Sequence, residues 1–410
     1  MSLPSGWFLV VVCCIGGLTL AAGGVVASDA GGVVVNDVSS PDADEEKPLE
    51  IIDVTNSSNY LSPSPENVTQ ESYESVGIDV AGAVETDALR LQGENERRAL
   101  EHGLSESDGE GSLERNTAQR LEVASATLEQ ERYQLFQDYS NGTVDTSTLF
   151  RELVRLDVTA EQYRQLADTA REEGDVSGAL GVRYTNAEGT PALLPSRMKS
   201  YLESGLVSGD QSPVYVQGAN ESLVIATVSS DTYLREALLF DQYDPGAPEQ
   251  FGTGERSEPA DAFHRAELLY PWTIANTFEP DIRGFGNSSV YRLTAEHSHG
   301  SLLSYLDGAT TNPFYEIHEK NSLLVPTESY QEIGNGMRLD VDVTAPTGPM
   351  EIDVRQTLDG EAEEIHIYVD DNYLGTLDGS GELWTVQPRG VFEVTAETDD
   401  GDSVSVTIVP

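Results

Sequence analysis

The spacing of hydrophobic residues changes twice along the 410-residue chain, and this constrains the fold more than any single motif does. Leucine and alanine return at helical intervals from about residue 73 to 174, and mixed runs follow up to about residue 337. Beyond that point polar and apolar residues alternate with a period of two. The sequence therefore predicts a multidomain α+β protein: a helical bundle at 66–175, a mixed α+β domain at 176–337 and a small antiparallel, immunoglobulin-like β-sandwich at 338–410.

The helical segment is predicted to form a three-helix antiparallel bundle. Its last helix carries an apolar seam of Leu149, Leu153, Leu156, Ala160, Tyr163, Ala167 and Ala170. The two preceding helices carry stripes of Leu121, Leu128 and Leu135, and of Val80, Val84, Ala88 and Leu91. Asn141-Gly142 predicts a helix end, and Asp145 predicts a cap for the next helix. An extended, oligomeric coiled coil is the alternative, but each seam lasts only about three heptads.

The middle segment contains both kinds of pattern. Strands are predicted for "PVYVQG", "SLVIATV", "SVYRLTAE" and "FYEIHE". Short helices are predicted for "DTYLREALLFDQY", "PADAFHRAELLYPWTIA" and "GSLLSYLDGAT". Two strand, turn and helix units share a Tyr-Leu pair, at Tyr233-Leu234 and Tyr305-Leu306, which hints at an internal repeat.

The amino terminus predicts export. An uncharged apolar run at 7–26 is followed by Val25-Val26-Ala27, so residues 1–27 are interpreted as a cleaved signal peptide or, alternatively, a membrane anchor. Both cysteines fall inside this run, and residues 28–65 are interpreted as an acidic, disordered linker. Five Asn-x-Ser/Thr sequons are consistent with an extracellular, glycosylated surface; they begin at Asn56, Asn67, Asn141, Asn220 and Asn287.

The charge balance indicates salt adaptation. The chain has 71 acidic and 23 basic residues, a net charge of -48, and lysine only at Lys47, Lys199 and Lys320. So many carboxylates repel one another in dilute buffer, whereas molar salt shortens the Debye length to about 3 Å. The acidity also excludes nucleic acid as a partner and favours a halophilic protein.

One segment holds three of the six histidines close to carboxylates. If the strands around His297 and His318 are neighbours, then His297, His299, His318 and Glu316 supply a ligand set suited to zinc. The alternative is that these are surface histidines near a turn, because "HSHG" ends in glycine and no known metal motif is present.

No catalytic signature is present: there is no nucleophile elbow, phosphate-binding glycine loop or His-Glu-x-x-His pair. We therefore expect a non-catalytic protein without a cofactor, which contacts other cell-surface proteins or glycans as a scaffold. Two alternatives remain. One is a ligand-binding or sensory ectodomain with a pocket near Tyr270 and Trp272, and the other is a metal-dependent hydrolase.

The organisation resembles that of uncharacterised secreted haloarchaeal proteins with a signal, a helical region, an α/β segment and a terminal immunoglobulin-like β module. The stretches that carry the resemblance are "VGIDVAGAVETDALRL", "LFRELVRLDVTAEQYRQLA", "AELLYPW" and "HGSLLSYLDGATTNPFYEIHE". The resemblance implies an extracellular or cell-surface location and this architecture, but it implies no site.

Salt should control folding if the acidity is an adaptation. Below roughly 1 M salt we expect the protein to lose cooperative structure, because carboxylate repulsion is then less screened. Circular dichroism melts across a salt series measure this. A cooperative melt retained in dilute buffer would contradict the salt-adaptation interpretation.

Overall fold

A computed structural model describes residues 49–106, 111–209, 212–356 and 364–409. The predicted signal or anchor at 1–27 lies outside these residues, as does most of the predicted linker. Among the described residues, no helix is long and apolar enough to cross a membrane. All of them belong to one unit, Lys47–Pro410.

The described end of the predicted linker is folded. Its strands β1 (Glu50–Ile52) and β2 (Tyr60–Ser62) pair antiparallel, and Tyr60 and Leu61 are fully buried. Leu61 packs with Val224 and Leu239 of a large sheet. The prediction of a disordered linker is therefore wrong for residues 49–65, because their few apolar side chains find partners far away in sequence.

Seven α-helices lie in the described residues. They are α1 (Val80–Glu106), α2 (Ser112–Ser140), α3 (Thr146–Glu173), α4 (Gly178–Glu188), α5 (Met198–Ser208), α6 (Glu258–Leu269) and α7 (Pro271–Asn276). The leucine and alanine residues of the α2 and α3 seams are buried, as predicted, and Tyr163 is partly buried. Asp145 caps α3 by accepting a hydrogen bond from the backbone N–H of Thr148.

Helix α1 presents the face opposite to the predicted one. Its stripe of Val80, Val84, Ala88 and Leu91 is exposed. The buried face carries Gly82, Thr86 and Gly93, and a Cβ atom at Gly93 would lie 2.5 Å from the side chain of Gln162 in α3. Small residues let the two helices approach closely, and Leu89, Leu100 and Leu104 add the apolar contacts of this inward face. The predicted inward face of α1 was wrong.

An eight-stranded antiparallel sheet forms the centre of the molecule. Its strands are β3 (Gln70–Glu74), β4 (Val214–Ala219), β5 (Ser222–Ser229), β6 (Thr232–Leu239), β7 (Asp281–Gly284), β8 (Val290–His297), β9 (Gly300–Asp307) and β10 (Pro313–Asn321), in the order β3-β4-β5-β6-β10-β9-β8-β7. One face packs against α2, α3 and α5. The other packs against residues 54–60, α6, α7 and the C-terminal strands.

Two of the predicted short helices are strands of this sheet, β6 and β9. Both sheet faces are covered, so most residues of these strands are buried and the polar alternation typical of a half-exposed strand disappears. The repeated units are therefore two hairpins, β5-β6 and β8-β9, which flank β10 on either side. The helix predicted at "PADAFHRAELLYPWTIA" corresponds to α6 and α7.

The C-terminal strands form a sandwich of two four-stranded sheets, which we call the β module. Its strands are β11 (Glu328–Gly334), β12 (Met337–Val343), β13 (Pro349–Gln356), β14 (Glu364–Val369), β15 (Asn372–Asp378), β16 (Gly381–Val386), β17 (Phe392–Thr398) and β18 (Ser403–Ile408). The sheets are ordered β11-β12-β13-β16 and β15-β14-β17-β18. The module begins ten residues before the predicted boundary, since β11 is largely exposed and lacks an alternating pattern. The predicted multidomain α+β class is confirmed.

Candidate functional site

A polar cluster is buried in the large sheet, on the face away from α2 and α3. It consists of Arg235 on β6 and of Glu316, His318 and Lys320 on β10. Alternate residues of a strand share a face, and His318 pairs with Arg235 across the two strands, so the four side chains meet. Each residue is at most 1% exposed. We call this group the central polar cluster.

Glu316 accepts three hydrogen bonds. Its Oε1 lies 3.1 Å from Nη1 of Arg235 and 2.9 Å from the backbone nitrogen of Leu61. Its Oε2 accepts from the Tyr270 hydroxyl at 2.7 Å. Burial alone would raise the pKa of Glu316, but His318, Arg235 and Tyr270 together outweigh burial and hold this pKa below its usual value. Glu316 is therefore ionised at neutral pH.

Arg235 connects three parts of the chain. Its Nη2 donates to the carbonyl oxygen of Leu61 at 2.6 Å, and its Nε donates to Oγ1 of Thr347, in the β module, at 3.1 Å. The guanidinium also lies 5.0 Å from the centre of the Tyr60 ring. The central sheet, the N-terminal strands and the β module thus share one buried cation.

Lys320 is enclosed by the loop between β1 and β2. Its Nζ donates to the carbonyl oxygen of Ser58 and to the hydroxyl of Tyr60, both at 3.1 Å. It also lies 4.2 Å from the centre of the Tyr60 ring. Burial lowers the pKa of Lys320 well below its usual value, and the ionised Glu316 opposes that shift.

His318 is buried as a neutral side chain. Its Nε2 lies 2.8 Å from Oε1 of Glu316, and its ring meets the ring of Tyr60 edge-on at 4.9 Å. Burial lowers the pKa of His318 to about 4, although Glu316 acts in the opposite direction. Within the described part of the chain, neither Nδ1 nor Nε2 of His318 makes a well-oriented hydrogen bond, so the contact of Nε2 with Glu316 is one of distance alone.

The other two predicted ligands lie at the β8-β9 hairpin. His297 ends β8, and His299 is in the two-residue turn before Gly300. Nδ1 of His297 accepts from the backbone N–H of His299 at 3.3 Å. The ring of Trp272 stacks on His299 at 4.7 Å and meets His297 edge-on at 5.2 Å. Burial, followed by Lys320, lowers the pKa of His297 to about 3.

These residues do not assemble a metal site. Within the described ranges, no three His, Cys, Asp or Glu side chains form a group able to hold a metal ion. Burial, with a smaller contribution from Lys320, lowers the pKa of His297, His299 and His318 alike. The predicted ligand set of His297, His299, His318 and Glu316 is therefore not formed.

Sequence reasoning missed Arg235, Lys320 and Tyr60. A signal was present in "EIHEK", where Glu316, His318 and Lys320 occupy every second position of a strand. Three polar residues in that register indicate a polar face, but whether that face meets solvent or another layer depends on the rest of the fold.

A second buried polar group lies on the helix-covered face. Glu236 accepts hydrogen bonds from the backbone N–H groups of Arg197 and Met198 and so caps α5. Burial, with a contribution from Asp157, raises the pKa of Glu236 to about 7. The buried ion pair of Arg132 and Asp157 lines the same cavity of about 30 Å³, which has room for little more than a water molecule.

Three known families match successive parts of the chain. Residues 6–180 match a domain of unknown function (DUF7096), and residues 214–326 match a family of unknown function (DUF7094). Residues 328–406 match an archaeal fibronectin-III type-like domain, which agrees with the bounds of the β module. No curated protein and no solved structure matches the chain.

Acid should destabilise the protein through its buried histidines. The pKa of His318 is about 4 in the folded protein and about 6.5 in an unfolded chain, so the unfolded state binds more protons between these values. The contribution of the neutral His318 to the free energy of unfolding is therefore fully present above about pH 6.5. It is lost as the pH falls towards 4, by about 3 kcal/mol. Urea unfolding in molar salt at several pH values measures this slope.

The variant His318→Gln should flatten the slope, whereas His102→Gln, which changes a histidine with a 73% exposed side chain, should leave it unchanged. An equal slope in wild type and His318→Gln would show that His318 is not held neutral by burial.

The buried pair of Arg235 and Glu316 should matter far more than exposed pairs. Arg235→Met leaves Glu316 buried without its ion-pair partner and should lower the free energy of unfolding by about 3–5 kcal/mol. The control Arg355→Met breaks a pair whose arginine side chain is 62% exposed and should cost less than about 1 kcal/mol. Urea unfolding compares the two variants, and equal costs would contradict the connecting role of Arg235.

Proposed function

We propose that the protein is a non-catalytic, exported cell-envelope protein of a halophilic archaeon that acts as a scaffold or interaction protein at the cell surface. The observation that carries this proposal is the closure of the central polar cluster. Its four residues are at most 1% exposed, and their polar contacts fasten the N-terminal strands and the β module to the sheet. These contacts hold the segments in one arrangement on the sheet. Because the cluster is buried, it is also closed to a substrate.

The surface supports the proposed location. All five sequon asparagines have exposed side chains: Asn56, Asn67, Asn141, Asn220 and Asn287. A glycan can attach only to an accessible asparagine, so each position is compatible with glycosylation. The apolar run at 7–26 and the net charge of -48 suit an exported protein of a salty medium. The partners we propose are other cell-surface proteins or glycans, with a membrane tether if the apolar run is retained.

The alternatives fit the geometry less well. A sensory or ligand-binding pocket near Tyr270 and Trp272 needs space, but Tyr270 is fully buried and its hydroxyl is bonded to Glu316. The ring of Trp272 is stacked on that of His299. A metal-dependent hydrolase needs histidines that share an ion, and the described residues provide no such group.

Protease accessibility in intact cells tests the proposed location. The full chain with a C-terminal epitope tag is expressed in a haloarchaeal host, and intact cells are treated with a protease that tolerates molar salt. We expect the tag to be lost or to appear in the medium, while a tagged cytoplasmic control protein stays intact. A chain that is protected in whole cells and digested only after lysis would overturn the proposal. The N-terminal sequence of the exported protein then distinguishes a cleaved signal, starting near Ser28, from a retained anchor.

A further inference from the structure

An open groove of about 580 Å³ lies beside helices α2 and α4. Residues of α2 form one side, α4 forms the other, and the segment after β6 closes the end. Three aromatic residues line it: Tyr133, Phe240 and Tyr243. The rings of Tyr133 and Phe240 meet edge-on at 5.8 Å, and the ring of Tyr243 contacts that of Phe314 at 4.8 Å. The volume falls within the range of small-ligand sites.

One acidic side chain in this groove has no partner. Glu129, half-buried on α2, makes no hydrogen bond or ion pair within the described part of the chain, and neither does the hydroxyl of Tyr243. The neighbouring acid Glu122 behaves differently, because both its oxygens accept from Arg183, at 2.6 and 2.7 Å. Arg183, the one arginine that lines the groove in the described part of the chain, is therefore already paired with a carboxylate.

Burial raises the pKa of Glu129, and Arg132 opposes that shift only in part. Burial, followed by the Glu129 carboxylate, raises the pKa of Tyr243, and both side chains line the groove. A partly desolvated carboxylate beside aromatic rings is an arrangement that a bound cation would stabilise.

We propose that this groove binds an organic ammonium group, with Glu129 as the counter-ion and the rings of Tyr133, Phe240 and Tyr243 as the walls. Aromatic faces attract alkylammonium ions through their negative electrostatic potential, and the attraction grows when water is excluded. An anionic ligand would meet the Glu129 carboxylate. A neutral ligand would cover that carboxylate without pairing it. The inference is independent of the scaffold role, since none of these residues belongs to the central polar cluster.

Titration calorimetry of the full chain in molar NaCl tests this site, with choline as the probe and 3,3-dimethylbutan-1-ol as its uncharged analogue of the same shape. We expect choline to bind and the alcohol to bind at least about fivefold more weakly. Glu129→Gln should weaken choline binding about fivefold or more, and Tyr243→Leu, which keeps an apolar side chain, should weaken it about threefold. Thermal melts of both variants confirm that the fold is retained.

The matched control is Glu85→Gln, which removes the same charge from an exposed position of α1. It should leave the affinity unchanged and so separates a local contact from the general attraction of an acidic surface. Equal binding of choline and the alcohol, or equal weakening by Glu129→Gln and Glu85→Gln, would overturn the proposal.

A second pair of probes identifies the source of the ammonium group. Nα-acetyl-lysine amide carries the side chain of a partner protein, and Nα-acetyl-norleucine amide is its uncharged counterpart. Tighter binding of the lysine probe than of choline assigns the groove to a lysine of a partner, and the reverse assigns it to a small quaternary ligand or headgroup. Loss of choline or lysine-probe binding in Glu129→Gln supports the proposed groove as the binding site. Binding of the norleucine probe without binding of the lysine probe would contradict it.

Discussion

The ion pair between Arg235 and Glu316 is the interaction on which the arrangement of this protein depends. Removing two charges from water costs several kcal/mol each, and a pair repays that cost only when the remaining hydrogen-bonding positions are also occupied. Here Leu61 supplies both a donor and an acceptor, while Tyr270 and Thr347 complete the set. These partners come from strand β2, from Tyr270 between α6 and α7, and from the β module. The hydrogen bonds of the ion pair are therefore complete only when all three segments are docked.

This requirement explains why the N-terminal strands, the central sheet and the β module form one compact unit. Val54, Tyr60, Tyr233, Ala345 and Val386 form one apolar core that spans the N-terminal strands, the sheet and the β module. Apolar surfaces alone can pack in several registers, whereas the polar contacts of Arg235 are directional. The buried cluster thus selects one docking geometry, and the apolar core around it provides most of the favourable free energy.

The sequence predicted best those elements whose pattern is local. The seams of α2 and α3, the cap at Asp145 and the alternating strands of the β module all follow from residues close in the chain. The errors arose where burial is decided by distant segments. Strands β6 and β9 are covered on both faces and therefore lose their alternation. Residues 49–62 look like part of a linker because the surfaces that bury Tyr60 and Leu61 lie more than 150 residues away.

The histidine segment shows the same limit for a site. The sequence marks this segment as unusual, but it does not show that the loop around Tyr60 covers His318 and Lys320, because no local pattern reveals that burial.

Both lysines in the described residues are largely withdrawn from solvent: Lys320 is 1% exposed, and the side chain of Lys199 is 12% exposed and paired with Glu161. In a chain with 71 acidic residues, both described lysines thus have defined hydrogen-bond or ion-pair partners. Among the buried cations of the described residues, Arg235 and Arg132 each pair with a buried carboxylate, whereas Lys320 bonds to hydroxyl and carbonyl oxygens.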